Sequence, residues 1–336
     1  MLNRRQFIIG AGTVLAAATG CSRVRLKLPA SGESPRAEDE GPRPFRVALL
    51  SDPHTVESGA LHAVAVNGKL SRAVADYKPL RPDLWVVNGD IADTGKSAQL
   101  AAFKKIMGAV AGPGQLLVNT GNHDYYDQDA SDAEELQRFR EAFGQEQAYS
   151  SRVAGGIHIV MLADEQYKTA PGAREWAWLT PEQLRWFEQV LEEHKDKFTV
   201  VCLHQPLQDT VVWSFGGNDF AGCGQRKELR AITKKNPQIK LWFSGHTHMG
   251  ADIAGNAARL DGVVYAGLGS TFYQFVKSDE PDDQGGWPSD GGFKKDLAAS
   301  HSRMLEVWPD RAVLRARDHT NQAWLDRHEI IINRSA

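Results

Sequence analysis

The chain is poor in cysteine, in net charge and in long apolar runs, and each shortage removes a class of protein. Three cysteines, Cys21, Cys202 and Cys223, are too few for a disulfide scaffold and lack the CxxC spacing of a structural zinc site. Any metal must therefore sit on His, Asp and Asn. Lys+Arg 39 against Asp+Glu 42 leaves a formal charge of -3. That balance supplies no electrostatic footprint for duplex nucleic acid or a polybasic membrane contact, and it favours a small-molecule partner. The apolar run from Ile8 to Ala18 is broken by Gly10 and Gly12 and is too short to span a bilayer. What remains, 336 residues of which 42% are hydrophobic, suffices for a full-sized core.

Ahead of that run, Asn3-Arg4-Arg5-Gln6-Phe7 resembles a twin-arginine export signal. The resemblance implies the twin-arginine export machinery as a partner and a periplasmic or cell-surface location. Ala18-Thr19-Gly20-Cys21 reads as a lipoprotein processing site that would anchor Cys21 to lipid, while Ala16-Ala17-Ala18 also reads as a signal-peptidase site. Residues 1–21 are thus expected to be an export signal. Residues 22–44 are expected to be a linker, because 31–44 concentrate Pro, Gly, Glu, Asp and Arg with almost no apolar residue. Residues 45–335 remain as one catalytic domain.

In that domain, short apolar runs end abruptly in polar clusters. Phe45–Leu50 stops at Ser51-Asp52-Pro53-His54, Leu84–Val87 at Asn88-Gly89-Asp90, and Gln115–Val118 at Asn119-Thr120-Gly121-Asn122-His123-Asp124. Helical stretches around Leu70–Asp76 and Ala98–Ala109 separate them, so strands and helices alternate in an α/β pattern. Further strands are expected at Ile157–Leu162, at Phe198–Leu203 before His204, and at Ile239–Phe243 before Ser244-Gly245-His246-Thr247-His248. Others follow at Val263–Ala266, Met304–Val307 and Ala312–Ala316. Thr180 precedes Pro181 and an apolar face of Leu184, Phe187, Val190 and Leu191, which makes it a helix N-cap.

Ligands of open α/β sheets bind beyond the strand ends, so five such ends bearing Asp, His and Asn predict one shared site. Of His 11 in the chain, His54, His123, His204, His246 and His248 lie at these ends. Carboxylate and amide oxygens with imidazole nitrogens, and no thiolate, suit Zn, Mn or Fe. The other histidines, His158 and His319 among them, carry no metal expectation. Trp176, Trp178 and Trp186 are expected in the core, Trp213 and Phe215 at a pocket mouth, and 278–292 as a solvated loop.

Taken in order, Asp52-Pro53-His54, Gly89-Asp90, Gly121-Asn122-His123-Asp124, His204 and Gly245-His246-Thr247-His248 resemble the blocks of the calcineurin-like metallophosphoesterases. The resemblance implies two packed mixed β-sheets flanked by helices, a four-layer sandwich with the site at one edge. It implies two divalent or trivalent ions (Mn, Fe or Zn), one held by Asp52, His54 and His248, the other by Asn122, His204 and His246, with Asp90 bridging. Such ions, roughly 4 Å apart, activate a hydroxide nucleophile against a phosphate ester. His123 is then the proton donor to the leaving oxygen, with Asp124 orienting its ring. Asp93 stands where the purple acid phosphatase branch has a tyrosine ligand, which argues against a coloured iron site. The blocks most resemble the cyclic-nucleotide phosphodiesterase branch.

Two other readings compete. A metal-dependent hydrolase of a non-phosphate substrate would place His-x-His near the first strand of a barrel, whereas here Asp-x-His comes first. A catalytically inactive binding protein on the same fold would be expected to have lost ligands, and none of the expected ones is missing.

Overall fold

The last four residues of strand β1 (Phe45–Leu50) are apolar because both of its faces are covered: Val47 and Leu49 point one way, Ala48 and Leu50 the other, and all four are buried. The computed structural model describes residues 43–170, 176–212, 214, 222–277, 292–325 and 328–334. The expected export signal, Cys21, most of the expected linker, Trp213, Phe215 and the 278–291 stretch lie outside these residues. Arg43, assigned to the linker, is tied to the body: its guanidinium meets the Asp83 carboxylate at 2.5 Å and donates to the Arg81 carbonyl at 3.0 Å.

Parallel pairing joins β1 to β2 (Leu84–Asn88) and β2 to β3 (Leu116–Asn119). Helices α1 (Ala63–Tyr77) and α2 (Ser97–Met107) make the crossovers, and α3 (Asp132–Phe143) follows β3. The expected α1 began seven residues late, because its first turns bury only Ala63 and Val66 and so lack an apolar stripe. A second sheet starts with the edge strand β4 (Ser150–Ala154), which pairs with β5 (Ile157–Met161). It continues through β6 (Phe198–Cys202) and β7 (Ile239–Ser244), with α4 (Pro181–Glu193) and α5 (Arg226–Lys235) as crossovers. The far edge is β8 (Ala257–Leu260), antiparallel to β9 (Val263–Gly267), which runs parallel to β7. A two-stranded ribbon of β10 (Gln274–Lys277) and β11 (Phe293–Asp296) follows.

The chain then returns to the first sheet. β12 (His301–Val307), buried along its whole length, pairs antiparallel with β1. β13 (Arg311–Asp318), β14 (Ala323–Trp324) and β15 (Ile330–Asn333) complete that sheet in the order β14-β13-β12-β1-β2-β3, with β15 on β13.

The two mixed sheets pack face to face. Val47, Leu49, Val86 and Leu305 of the first meet Ile159, Val200, Leu241 and Phe243 of the second in one core. The opposite face of the first sheet carries α1, α2 and α3 through Trp85, Leu70, Phe103 and Phe139. Phe187, Leu191 and Leu229 pack α4 and α5 on the back of the second sheet, against Trp242. This is the expected four-layer sandwich. Truncating a side chain of the middle core, such as Leu49→Ala, costs about 2–5 kcal/mol, because sheets packed on both faces cannot collapse into the void. Thr180 caps α4 by accepting the Gln183 N–H at 3.2 Å, as its sequence indicates. No described helix is long and apolar enough to cross a membrane.

Candidate dinuclear metal centre

All the parallel strands of both sheets end at one edge, and the loops beyond those ends carry the polar clusters. Asp52 and His54 follow β1, Asp90 follows β2, and Asn122 and His123 occupy a 3-10 turn (Asn122–Tyr125) after β3. His204 follows β6, and His246 and His248 follow β7. The structure thus brings all seven expected metal residues together.

The backbone at these ends is contorted. Asp52, His54, Asp90, His246 and His248 all have positive φ, between 45° and 66°. Each costs on the order of 1–3 kcal/mol in a non-glycine residue, a strain found where a site dictates side-chain direction. Hydrogen bonds between loops hold it: His54 N–H donates to the Asp90 carbonyl at 3.0 Å and Gly245 N–H to the His204 carbonyl at 2.8 Å. Gly89, at φ 75°, also has a steric role, since a Cβ there would run into the His204 ring.

The side chains form two groups that share Asp90. In the first, Asp52, His54, Asp90 and His248 offer ligand atoms within 4.8 Å of one another; in the second, Asp90, His204 and His246 do so. Asn122 joins the second, its Oδ1 2.9 Å from His246 Nδ1 while its amide nitrogen donates to the Tyr126 hydroxyl at 3.0 Å. Asp90 Oδ2 lies 3.1 Å from His204 Nε2 and 3.6 Å from His54 Nε2.

Do these residues suit a cation? His54 Nε2 and His248 Nε2 converge to 3.0 Å. Asp52 Oδ2, His54 Nδ1, His204 Nε2 and His248 Nδ1 are buried without a hydrogen-bond partner. Buried polar atoms are otherwise nearly always paired, so four unpaired atoms on residues whose Nε2 nitrogens and carboxylate oxygens converge fit a bound ion. His204 Nδ1 donates to the Asn88 carbonyl at 2.8 Å, which turns the lone pair of its Nε2 toward Asp52 and Asp90. The cluster could hold metals.

The charges fit as well. Burial opposes ionisation of Asp90, but the rings of His204 and His123 outweigh it and hold the carboxyl well below its usual range. Burial works against a charge on His204 too, yet the Asp90 and Asp52 carboxylates push it up to about 10. The site draws positive charge to His204, the demand a cation also meets. Burial, with the His123 ring beside it, brings His54 down to about 4, the neutral form a ligand needs.

His123 has a different setting. Its side chain is 28% exposed, its ring lies 4.3 Å from that of His54, and its Nδ1 donates to the Asp93 carbonyl at 2.9 Å. The expectation that Asp124 orients this ring is corrected. The Asp124 carboxylate instead accepts the backbone N–H groups of Ala92 at 2.9 Å, Gly121 at 3.0 Å and Ile91 at 3.3 Å, stitching the β2 and β3 loops together. Burial first, and the Asp90 charge next, raise it to about 7. A buried side chain with three backbone donors has no oxygen directed at His123.

Other residues at the centre went unrecognised in the sequence. Asp93, read in the sequence only as the replacement of a tyrosine ligand, lies with His54 and His123 in a third group of candidate ligand atoms. Tyr126 stacks on His123 at 4.0 Å, and Phe272 and Tyr273, after β9, pack on His54 and His248. The available signal was positional, since β9 is one more parallel strand ending at glycine, at Gly267-Leu268-Gly269. Cys202 and Cys223 are both buried free thiols. His158 and His319 stand outside the centre, the latter bonded to Asp76 and Ser302.

Residues 45–250 match the family model for calcineurin-like phosphoesterases. The chain is similar to a probable cyclic nucleotide phosphodiesterase of Synechococcus sp., 25% identical over 260 residues, which cover 75% of this chain and 91% of that protein. It is also similar to a glycerophosphodiester phosphodiesterase of Enterobacter lignolyticus, 29% identical over 209 residues, covering 60% of this chain and 70% of that protein. A dimetal phosphatase from Danio rerio has the same fold, with a TM-score of 0.59 at 14% identity over 88% of this chain and 100% of that chain. The family match spans the strand ends that carry all seven candidate ligands: the chain belongs to the calcineurin-like phosphoesterase family and is a hydrolase of phosphate ester bonds.

Proposed function

We propose that this protein is an exported phosphodiesterase with two transition-metal ions (Mn, Fe or Zn), acting on a small phosphate diester such as a cyclic nucleotide or a glycerophosphodiester. The observation that carries the reading is the convergence of imidazole and carboxylate ligand atoms into two groups sharing Asp90, with an unpaired buried polar atom on each of Asp52, His54, His204 and His248. Asp52, His54, Asp90 and His248 would hold one ion, and Asp90, Asn122, His204 and His246 the other. When bound, such a pair supplies Lewis acidity to the phosphoryl oxygens and acidifies water at neutral pH.

The chain's own groups do the rest. His123 donates Nδ1–H to the Asp93 carbonyl, so Nε2 is the atom that takes up a proton and returns it to the leaving oxygen. Burial of the ligand residues other than the half-buried His246 keeps bulk water from screening their charges. The preference for a diester follows the two similar proteins named above, both described as phosphodiesterases. Export is supported by Arg4-Arg5 and the apolar run behind them, with lipid attachment at Cys21 as its variant.

The test compares hydrolysis of bis(p-nitrophenyl) phosphate and p-nitrophenyl phosphate by the purified protein with Mn, Zn or Fe, and with chelator. Chelator-sensitive cleavage that favours the diester is the expected result. Faster cleavage of the monoester would overturn the diester reading, and metal-independent cleavage the whole of it. Mass spectrometry of the mature N-terminus tests export: a chain that keeps residues 1–18 contradicts it.

A further inference from the structure

The segment after β9 lies beyond the family-matched residues 45–250, yet it forms one wall of the centre. Ser270 anchors it: its hydroxyl donates to the Asp52 carbonyl at 3.0 Å and accepts the backbone N–H of Phe272 at 2.9 Å. Phe275 N–H donates to the His248 carbonyl at 2.7 Å. The turn between these anchors is therefore fixed to the loops after β1 and β7. It presents Tyr273, whose ring lies 4.1 Å from that of His248 and tilts 38° to it.

The Tyr273 hydroxyl has no hydrogen-bond partner among the described residues. The ring contact with His248 sets the residue beside the candidate ligands of the first group. Tyr273 is half-buried, so its O–H stays accessible to a ligand at the centre. It is a donor with nothing to donate to. On β11, which pairs with β10, Lys295 places its Nζ 3.9 Å from the Tyr273 ring centroid and adds positive charge to the same wall. A donor backed by a cation calls for an anionic oxygen.

We propose that Tyr273 is a substrate-contacting residue whose O–H donates a hydrogen bond to a phosphoryl oxygen of the ester held at the centre. The inference rests on the reading of the centre as a dinuclear phosphoesterase site, and it assigns part of substrate recognition to this chain's own segment outside the family match. Packing on His248 has already restricted the ring, so little rotamer freedom is lost on binding. A hydrogen bond to a charged oxygen is among the stronger kinds.

Tyr273→Phe tests this, because it removes the hydroxyl and keeps the ring. Three quantities are read on metal-loaded protein: metal per chain by elemental analysis, affinity for inorganic phosphate by calorimetry, and kcat/KM on bis(p-nitrophenyl) phosphate. The expected result is unchanged metal content, with phosphate affinity and kcat/KM each lowered about tenfold. Unchanged phosphate affinity overturns the proposal. So does loss of metal, which would place the hydroxyl in support of His248. A parent protein that binds phosphate but cleaves no ester removes the hydrolase reading and leaves Tyr273 to be judged on affinity; a parent that binds none overturns both.

Discussion

Asp90 Oδ1 accepts the backbone N–H of His123 at 2.9 Å. The carboxylate shared by both candidate cation groups therefore also fixes the peptide that carries the proposed proton donor. On the proposed reading one side chain would place both the metals and the acid, and a change at either residue should show which half it disturbs.

Replacing His123 with Ala should lower turnover by about 10²- to 10⁴-fold, the usual worth of a positioned acid, while leaving both metals in place. Asp124→Ala should behave in the opposite sense. The N–H groups of Ile91, Ala92 and Gly121 lose their acceptor, and each buried donor left unpaired costs about 1–3 kcal/mol, so stability falls first. Steady-state kinetics, elemental analysis and urea melts on the two variants separate these outcomes. A His123→Ala protein that had lost its metal would contradict the assignment.

The strained turns predict how stability responds to metal. Five residues with positive φ surround a centre in which Asp52, His54, His204 and His248 each keep one buried polar atom without a hydrogen-bond partner, so the centre is a region of unfavourable energy that a bound ion would relieve. Saturating Mn or Zn at about a hundredfold excess over its Kd should add about 3 kcal/mol, seen as a higher melting temperature that chelator reverses. A melting curve indifferent to chelator would exclude metal at this site.

Gly89→Ala should damage the centre although it adds only a methyl group. The left-handed backbone at Gly89 costs an L-residue about 1–2 kcal/mol, and the new Cβ meets the His204 ring. We expect a metal content below two per chain with the overall fold intact by circular dichroism. Full metal loading would show that the β2 loop can yield.

Far from the centre, Asp76 is held by Arg317 at 2.6 and 2.8 Å and by His319 Nδ1 at 2.8 Å, with its side chain 5% exposed. Burial alone would raise its pKa, but the Arg317 and His319 hydrogen bonds carry it well below the usual range. A depressed folded-state value means the stabilisation is complete above the unfolded pKa of about 4 and is lost as the pH falls further toward the folded value. At pH 7, Asp76→Asn should cost about 3 kcal/mol by leaving Arg317 and His319 without their anion. The gap to the parent protein should narrow below pH 4. Chelator-treated samples keep the metal centre out of the comparison, and a gap independent of pH would count against the ion pair.

Much of this was readable in the residues, and the exceptions have physical causes. The five parallel strands that carry the candidate ligands, β1, β2, β3, β6 and β7, are largely buried on both faces and so appear as short, mostly apolar runs, visible without context. Strand β8 is half exposed and carries no such run, yet Asp261-Gly262, with φ 50° and 84°, forms the tight turn of its hairpin with β9. Gly155-Gly156 does the same for β4 and β5. Helix α3 was not expected, because its apolar face is thin; its start is marked only by the reciprocal cap of Ser131 and Glu134, at 2.8 and 3.4 Å. The candidate ligands could be read because each follows a strand. The partner of His123 could not, since a backbone carbonyl, that of Asp93, leaves no mark in a sequence.

Strand β1 sits between β2, its near neighbour in the chain, and β12, which pairs Phe45 with Val307. Its second edge stays open until almost the whole polypeptide has left the ribosome. At about 5–20 residues per second that interval is on the order of tens of seconds. Through it, one of the most apolar strands of the protein presents an unpaired row of amides and carbonyls, a template for wrong partners. The pairing that closes the finished sheet therefore makes the growing chain dependent on whatever shields that edge during synthesis.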